Sequence, residues 1–464
     1  MNVVTTINRY MQIAFLAGLG LMLLPAISFG AVSEYMLDNG LKVLVKPDRR
    51  APVVVSQIWY KVGSSYEYEG ITGLSHMLEH MLFRGTKKIP SGEFSKIISA
   101  NGGRENAFTG GDYTAYFQRL EKSRLAVSFE LEADRMMGAL IPKDEFLKER
   151  DVVAEERRLR TEDKPQSLTY EQFRAAAFVS SPYHHSVIGW MGDILNYTRD
   201  DAMRWYKRWY TPNNATLVVV GDIEPGEVLS LAKKFYGPLK PGEVVPPKPR
   251  PEVVQKGERR VELKLPAKLP YVLMGYKVPS LNTAKDDKEV YALEVLTWIL
   301  DGGDSARFSR ELIRGRQIAA TTSVSYDYVD RLETLLTVAA IPATGTNLEE
   351  MEQALRDQIK RLREKPVSEA ELKRVKTQIV TREIFSRDSV FYQAMQLGRW
   401  ETTGIGWQSS ELFVDHIKKV TAQKIMEVAR KYLGDDQLTV ALLKPQPIKA
   451  KRSTATRSTQ RVRH

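Results

Sequence analysis

The stretch Gly73-Leu-Ser-His-Met-Leu-Glu-His-Met-Leu-Phe83 is the most informative part of the sequence. It contains the pattern His-x-x-Glu-His, formed by His76, Glu79 and His80 in a run that is otherwise mostly apolar. Such a run is typical of a buried helix, and residues four apart share one helix face, so both imidazoles can reach one metal ion. Two core histidines beside a salt-bridging glutamate are the alternative. Three polar groups in an apolar stripe each need a partner, and a zinc site supplies one.

The composition limits both the class of protein and the kind of metal site. A chain of 464 residues is too long for one ordinary domain, so two domains of about 200 residues are expected. The apolar content of 43% and the charged content of 27% are typical of a soluble globular protein with an ample core. The absence of cysteine excludes disulfides, thiolate zinc sites and cysteine nucleophiles. Zinc must therefore be held by His and carboxylate, which suits a catalytic site better than a structural one.

The net charge of +11 is concentrated at the end of the chain. Residues 446–464 carry six basic residues and no acid, and Arg9 adds one positive charge within the first 30 residues, which leaves +4 for the rest. Nucleic-acid binding is therefore not expected. The tail is rich in Ser, Thr and Arg, so we expect it to be disordered. Contact of the tail with anionic lipid or an acidic partner is the alternative.

The first 30 residues are typical of an export signal. Arg9 precedes an apolar stretch from Ile13 to Leu24, followed by Pro25 and small residues, with cleavage expected after Gly30. We therefore expect an exported, periplasmic protein that is soluble after cleavage. The alternative is a membrane anchor, since the apolar run is nearly long enough to span a bilayer if it stays uncleaved. Membrane contact is expected only through this leader or the tail.

Two similar units follow the leader. In residues 31–237, strand-like runs such as Val53–Tyr60 alternate with helical stretches. Six prolines between Gly237 and Pro251 indicate an extended linker over residues 238–257. Residues 258–445 look like a weak copy of the first unit that lacks the His motif. This duplication predicts an α+β fold of two similar domains, each a mostly antiparallel sheet packed against helices, facing each other across a cleft.

A catalytic zinc site needs a third ligand from a separate element. The best candidate segment spans residues 146–159, where Glu149 and Glu156 lie seven residues apart and so share a helix face. One carboxylate could bind zinc, while the other could support the site by holding a zinc ligand in its orientation. Periodicity alone does not rank the two. An exposed charged helix is an equally good interpretation, because Lys and Arg neighbours offer ion-pair partners.

The chain resembles the pitrilysin/insulinase-type zinc metallopeptidases, the inverzincin family, over nearly all of its length after the leader. It is similar to the half-size bacterial members and to the zinc-bearing subunit of mitochondrial processing peptidase. Members carry a ligand Glu about 76 residues after the second His of the motif, and Glu156 lies 76 residues after His80. A further Glu seven residues before that ligand is matched by Glu149. The resemblance implies that His76, His80 and Glu156 hold one Zn²⁺ per chain and that Glu149 supports them.

The resemblance also implies a peptide-binding strand and an activity. The family's Asn-Ala-x-Thr segment is present as Asn106, Ala107, Phe108 and Thr109. It implies an edge strand on which an extended peptide pairs through main-chain hydrogen bonds, although an ordinary edge strand after a glycine turn is the alternative. The implied activity is that of a zinc endopeptidase for unfolded peptides or precursor segments. Zinc would activate a water and polarise the scissile carbonyl, with Glu79 as general base.

One part of the family pattern is missing. Active single-chain members, and the partner subunits of two-chain members, carry an Arg and a Tyr seven residues apart, and these positions are Ile313 and Ala320 here. Neither side chain can donate a hydrogen bond to developing negative charge. The resemblance therefore implies a heterodimer with a homologous subunit that lacks zinc and supplies both residues. The alternatives are a homodimer that works without the pair, use of Arg314 in its place, and a non-hydrolytic scaffold or assembly subunit.

Overall fold

The computed structural model describes residues 30–248 and 250–448. Residues 1–29 of the expected leader and 449–464 of the expected tail lie outside the described residues. Among the residues that are described, no helix is both long and apolar enough to cross a bilayer.

The first half of the chain is built on a six-stranded sheet. Its strands are β1 (Ser33–Met36), β2 (Lys42–Pro47), β3 (Val53–Tyr60), β4 (Arg104–Thr109), β5 (Thr114–Glu121) and β6 (Ala215–Gly221). Their order in the sheet is β1-β2-β6-β3-β5-β4. Neighbouring strands are antiparallel except β2 and β6. The central strands β3 and β6 are valine-rich and almost wholly buried, as expected of strands covered on both faces. Strand β4 forms an edge, so one side of its backbone is left unpaired by the sheet.

The second half repeats this arrangement. Its strands are β7 (Arg259–Pro266), β8 (Tyr271–Val278), β9 (Ala319–Tyr326), β10 (Thr334–Pro342) and β11 (Leu438–Gln446). The sheet order β7-β11-β8-β10-β9 is equivalent to β2-β6-β3-β5-β4, and again one pair, β7 with β11, is parallel. The predicted α+β class with two similar halves is confirmed.

Helices cover the sheets and connect the strands. The first half contains α1 (Leu74–Met81), α2 (Glu93–Ala100), α3 (Leu125–Gly138), α4 (Lys143–Arg157), α5 (Pro165–Ala177), α6 (Met191–Asn196), α7 (Arg199–Trp209) and α8 (Pro225–Phe235). The second half contains α9 (Asp287–Asp301), α10 (Leu348–Glu364), α11 (Glu369–Ser386), α12 (Val390–Thr402), α13 (Gln408–Glu411), α14 (Phe413–Lys419) and α15 (Ala422–Tyr432). Two π-helical segments extend this set, at Arg158–Glu162 and Phe308–Gly315.

One helix of each half packs against the sheet of the other half. Helix α12 packs Ala394 and Leu397 against the face of the first sheet that carries Trp59, while α5 packs Phe173 against the second sheet. Two glycines permit these contacts: a Cβ on Gly398 of α12 would overlap the Trp59 indole, and one on Gly275 of β8 would overlap the Phe173 ring. The two halves therefore share core residues and are not merely joined end to end.

The proline-rich connection between the halves is bound to the molecule. Residues 240–248 and 250–256 form neither helix nor strand. The Glu252 carboxylate accepts hydrogen bonds from the backbone N–H groups of residues 179–181 and pairs with Lys277 Nζ at 2.6 Å. The domain boundaries expected around this linker stay predictions, because α5 and α12 cross from one half to the other.

Candidate metal centre

The His-x-x-Glu-His motif lies on helix α1, whose N-terminus is held by the buried carboxyl group of Glu67. Glu67 accepts hydrogen bonds from the N–H of Gly73 at 2.6 Å and of Ser75 at 2.7 Å, which satisfies two donors that a helix start leaves free. Gly73 has φ of 88°, and a Cβ there would overlap the carbonyl of Ile188. Glycine is therefore required where the chain turns into the helix.

Helices α1 and α4 bring the three predicted ligands together. His76 Nε2 lies 3.9 Å from Glu156 Oε1, and His80 Nε2 lies 3.4 Å from Glu156 Oε2. One ligand atom from each of the three residues lies within 4.8 Å of the other two. Two imidazoles and one carboxylate are a donor set of catalytic zinc sites. Within the described part of the chain, no other trio of His, Asp and Glu side chains converges in this way.

The electrostatics of the cluster fit a cation. Burial, with smaller contributions from the neighbouring His80 and Arg160, lowers the pKa of His76 to about 3. His76 is therefore neutral at pH 7, with a ring nitrogen lone pair available for a metal. Glu156 Oε1 is paired with Arg160 Nη1 at 2.6 Å, but the Arg160 side chain is 72% exposed and can move away. The residues present thus fit the zinc ion that the sequence predicts.

Glu149 lies behind His80 rather than among the ligands. Its Oε2 is 3.2 Å from His80 Nδ1, while its other oxygen pairs with Arg84. A carboxylate at this nitrogen fixes the imidazole with Nδ1 protonated and Nε2 free to bind metal. Helical periodicity left Glu149 and Glu156 equivalent, whereas in the structure Glu156 faces both histidine Nε2 atoms and Glu149 contacts His80 at Nδ1. Arg84 was not found by sequence reasoning, since a lone arginine after a helix carries no signal of its own.

Glu79 projects from α1 towards the edge strand β4. Thr109 Oγ1 donates a hydrogen bond of 2.6 Å to Glu79 Oε2. Burial raises the pKa of Glu79, and the hydrogen bond from Thr109 acts in the opposite direction. Thr109 was predicted only as a residue of the peptide-binding strand; its contact with the predicted general base is new.

The four residues of the predicted peptide-binding segment occupy the edge strand but face different partners. The side-chain oxygen Oδ1 of Asn106 accepts a hydrogen bond of 2.9 Å from the backbone N–H of Ala107. Phe108 packs edge-on against Trp59, with ring centroids 5.3 Å apart. Together with Thr109, which faces Glu79, these residues belong to β4. Strand β4 is an edge of the described sheet, so its outer side is not paired with another strand.

The positions of the missing Arg and Tyr lie in the second half. Ile313 is on the π-helical segment Phe308–Gly315 and packs against the core of that half. Ala320 is exposed at the start of β9. The Arg314 guanidinium donates to the carbonyl of Asp304, so it is engaged locally.

A cavity of about 660 Å³ lies between the two halves. Arg160, Tyr170 and His185 line it from the first half, and Asp327, Asp330 and Thr337 line it from the second. Because Arg160 also pairs with the predicted ligand Glu156, the cavity begins beside the candidate metal centre.

Comparison with known proteins places this site in a family. The sequence profile "Insulinase (Peptidase family M16)" matches residues 42–189, and the profile "Peptidase M16 inactive domain" matches residues 196–379. The zinc protease PqqE of Helicobacter pylori is 33% identical over 417 residues, which cover 88% of this chain and 92% of that protein. The crystal structure of a protease from Helicobacter pylori superposes with a TM-score of 0.85 at 31% identity, covering 90% of this chain and all of that one.

A second solved structure differs from this chain in length. The periplasmic protease PqqL of Escherichia coli superposes with a TM-score of 0.75 at 20% identity, a likeness that concerns the fold alone. The match covers 89% of this chain but 48% of that one. With its two family profiles and a relative that is 33% identical over most of its length, the chain belongs to the insulinase family of peptidases, peptidase family M16.

Proposed function

We propose that the chain is a zinc-dependent endopeptidase that cleaves unfolded peptides or precursor segments. The observation that carries the proposal is the convergence of His76 Nε2, His80 Nε2 and the Glu156 carboxylate beside the carboxylate of Glu79. These three residues would hold one Zn²⁺ per chain. When bound, zinc supplies a Lewis acid that polarises a scissile carbonyl and makes a coordinated water more acidic.

Glu79 acts as the general base in this proposal. Its carboxylate takes a proton from the attacking water and delivers it to the leaving amine. Thr109 holds Oε2 of that carboxylate, which limits the rotation of the base. Glu149 keeps His80 in the orientation that presents Nε2 to the metal.

The edge strand β4 binds the substrate in this proposal. An extended peptide that pairs with β4 gains main-chain hydrogen bonds whatever its side chains are, so affinity comes with little sequence preference. Most backbone groups of a folded protein are already paired within it, which favours unfolded peptides as substrates.

The chain works with a second subunit in this proposal. Ile313 and Ala320 offer no donor to a developing oxyanion, and such donors are often worth about 3–4 kcal/mol. Support for a two-unit enzyme comes from the length of the Escherichia coli PqqL chain, about half of which this chain matches. A homologous subunit without zinc is the proposed partner, and a homodimer is the alternative.

A scaffold or assembly subunit without hydrolytic activity is the second candidate function. It is favoured by one observation, the description "inactive domain" of the profile that matches residues 196–379. The first half, which carries all three ligands and Glu79, favours the peptidase.

The decisive experiment compares Glu79→Gln with the unchanged chain. We expect Glu79→Gln to bind zinc and to lose peptide cleavage, whereas His80→Ala loses zinc as well. Zinc is measured by chelator competition, and cleavage by digestion of an unfolded peptide with and without chelator. Full hydrolysis by Glu79→Gln would falsify the mechanism. Zinc binding with no hydrolysis by the unchanged chain, with or without its partner, favours the scaffold.

The partner is tested by a pull-down of the native chain followed by the same digestion. We expect the captured assembly to cleave faster than the purified chain alone. Equal rates for the two preparations contradict the heterodimer.

Export to the periplasm is also part of the proposal. It is supported by the signal-like composition of the first 30 residues. N-terminal sequencing of the protein from a periplasmic fraction tests it, and a mature chain that begins near residue 31 is the expected result.

A further inference from the structure

One arginine of the second half is inserted into the first half, next to the two segments that carry the proposed base and the proposed peptide strand. Arg331 lies on the connection between β9 and β10. It contacts the loop before α1 and the turn after β4. We infer that Arg331 is a positioning residue. Through it, the second half of the chain holds helix α1 and strand β4 in register.

The first contact of Arg331 is with the turn between β4 and β5. Its backbone N–H donates to Asp112 Oδ2 at 2.9 Å, and its Nε lies 3.4 Å from Asp112 Oδ1. Asp112 is only 3% exposed and also accepts hydrogen bonds from the hydroxyls of Ser65 and Tyr183. Because this buried carboxylate accepts several hydrogen bonds, its orientation is fixed. The position of the turn beside Arg331 is therefore fixed as well.

The second contact of Arg331 is with the loop that leads into α1. Its Nη2 donates to Ser65 Oγ at 2.8 Å and to the Ser65 carbonyl at 3.3 Å. The guanidinium also lies over the Tyr66 ring, 4.3 Å from the centroid. The next residue is Glu67, whose carboxylate binds the first N–H groups of α1. The loop therefore transmits the position of Arg331 to the start of the catalytic helix.

The loop and the turn are also bonded to each other. Ser64 N–H donates to Gly110 O at 3.1 Å, and Ser65 N–H donates to Gly111 O at 2.7 Å. A Cβ on Gly63 would lie too close to both carbonyls, so the two backbones are in direct contact. The turn follows Thr109, whose hydroxyl holds Glu79. Two routes thus run from Arg331 to Glu79, one through α1 and one through β4.

This inference rests on the proposed peptidase function and predicts more than loss of stability. Reacting groups misplaced by about 1 Å can cost about 100-fold in rate. We therefore expect Arg331→Gln to lower kcat about 10- to 100-fold while zinc binding is retained, because Arg331 touches none of the three ligands. Arg331→Lys should restore part of the rate relative to Arg331→Gln, since an ammonium keeps a positive charge beside Asp112 but lacks the planar guanidinium that contacts Asp112, Ser65 and the Tyr66 ring together.

The matched control is Arg307→Gln. Arg307 forms a two-point ion pair with Glu371 within the second half, at 3.0 and 2.8 Å, and its side chain is also largely buried. Its loss should lower stability and leave kcat unchanged. The experiment measures kcat and KM on an unfolded peptide, zinc affinity, and hydrogen–deuterium exchange over residues 63–73 and 110–113, using the full chain in the assembly that cleaves.

The expected result is faster exchange in both segments of Arg331→Gln alone, together with the fall in kcat. Unchanged exchange, or the same increase in Arg307→Gln, overturns the inference. Glu79→Gln in the same assay separates this result from failure of the proposed function. If the unchanged chain and Glu79→Gln are equally inactive, the peptidase proposal fails, and the exchange data still decide whether Arg331 holds the two segments.

Discussion

Glu149 is the buried side chain through which the first half fixes one of its predicted zinc ligands. It accepts from His80 Nδ1 on one oxygen and pairs with Arg84 on the other. Replacement of Glu149 by Gln keeps an acceptor for His80 but leaves Arg84 without its counter-charge. Residues that form a hydrogen bond to a metal ligand typically contribute about 10- to 100-fold to metal affinity.

We therefore predict that Glu149→Gln weakens zinc binding by about 10- to 100-fold. Glu155→Gln is the control on the same helix, since Glu155 is 57% exposed and contacts only the surface residue Arg158 among the ion pairs of the described chain. Chelator competition on the two variants provides the measurement. Equal zinc affinity in both would show that Glu149 does not support the site.

At the residue scale, helical spacing indicated which side chains meet but not which glutamate faces both histidines; the predicted ranking of Glu156 as ligand and Glu149 as supporting residue came from the family resemblance. His76, His80, Glu149 and Glu156 follow from helical spacing, because residues on one face of a helix meet the same neighbour. Which glutamate meets both Nε2 atoms depends on how α4 packs against α1, and periodicity contains no information about that. Arg84 and Arg331 escape sequence reasoning because their partners are distant in the chain.

Helix α12 owes its place on the first sheet to a single glycine. A Cβ on Gly398 would overlap the buried Trp59 indole, and neither the helix nor the strand can easily shift inside a packed core. We predict that Gly398→Ala destabilises the protein by about 1–3 kcal/mol or more, as overpacking does.

Gly226 of helix α8 is the matched control for this substitution. It is exposed, and a Cβ there meets no atom of the described chain within 4 Å. Gly226→Ala should be neutral or stabilising by up to about 1 kcal/mol. Urea denaturation of both variants gives the comparison, and equal stabilities would contradict the packing argument.

The capping carboxylate of α1 makes the stability of the protein depend on pH. Burial raises the pKa of Glu67 to about 8, against an ordinary value of 4.5. Between these values the folded chain keeps a proton that the unfolded chain has released. The contribution of Glu67 to the free energy of unfolding therefore falls as pH rises from about 4.5 to about 8, by up to about 1.4 kcal/mol per pH unit, and is constant above this range.

Glu67→Gln removes this contribution. Urea denaturation in the presence of chelator, at several pH values between about 5 and 8, should show the variant gaining stability relative to the unchanged chain as pH rises. A difference that stays constant over this range would mean that Glu67 titrates normally.

At the element scale, strongly patterned segments were predictable and weakly patterned ones were not. The valine-rich strands β3 and β6 and the apolar helix α1 follow from hydrophobicity and period. Strand β4, with the sequence Arg-Glu-Asn-Ala-Phe-Thr, has no clean alternation, because an edge strand is only half covered. It was identified through the family resemblance.

At the scale of the molecule, the two halves complete each other's cores. The repeat was predictable, but the exchange of α5 and α12 was not, since an amphipathic helix does not specify which sheet it covers. Without α12, the face of the first sheet around Leu44, Trp59 and Val218 is open. Without α5, the second sheet exposes Leu273 and Ala339.

We predict that fragments 31–248 and 258–448 do not fold separately. Each should aggregate when expressed alone, because large exposed apolar faces self-associate. Co-expression should yield a soluble 1:1 complex that binds zinc, detected by size-exclusion chromatography. As a control, the full chain cleaved within residues 240–248 should stay assembled. A monomeric fragment 31–248 that unfolds cooperatively would refute the shared-core interpretation.

The exchange of helices also has a consequence in time. The last strand of the first sheet ends at Gly221, but the helix that covers it ends at Thr402, 181 residues later. At a synthesis rate of about 5–20 residues per second, the ribosome needs roughly 10–40 seconds to cover that distance. Whether the chain folds during synthesis or after export, we expect the first sheet to keep an uncovered apolar face until residue 402 is available, so that the proposed peptidase site forms only in a nearly complete polypeptide.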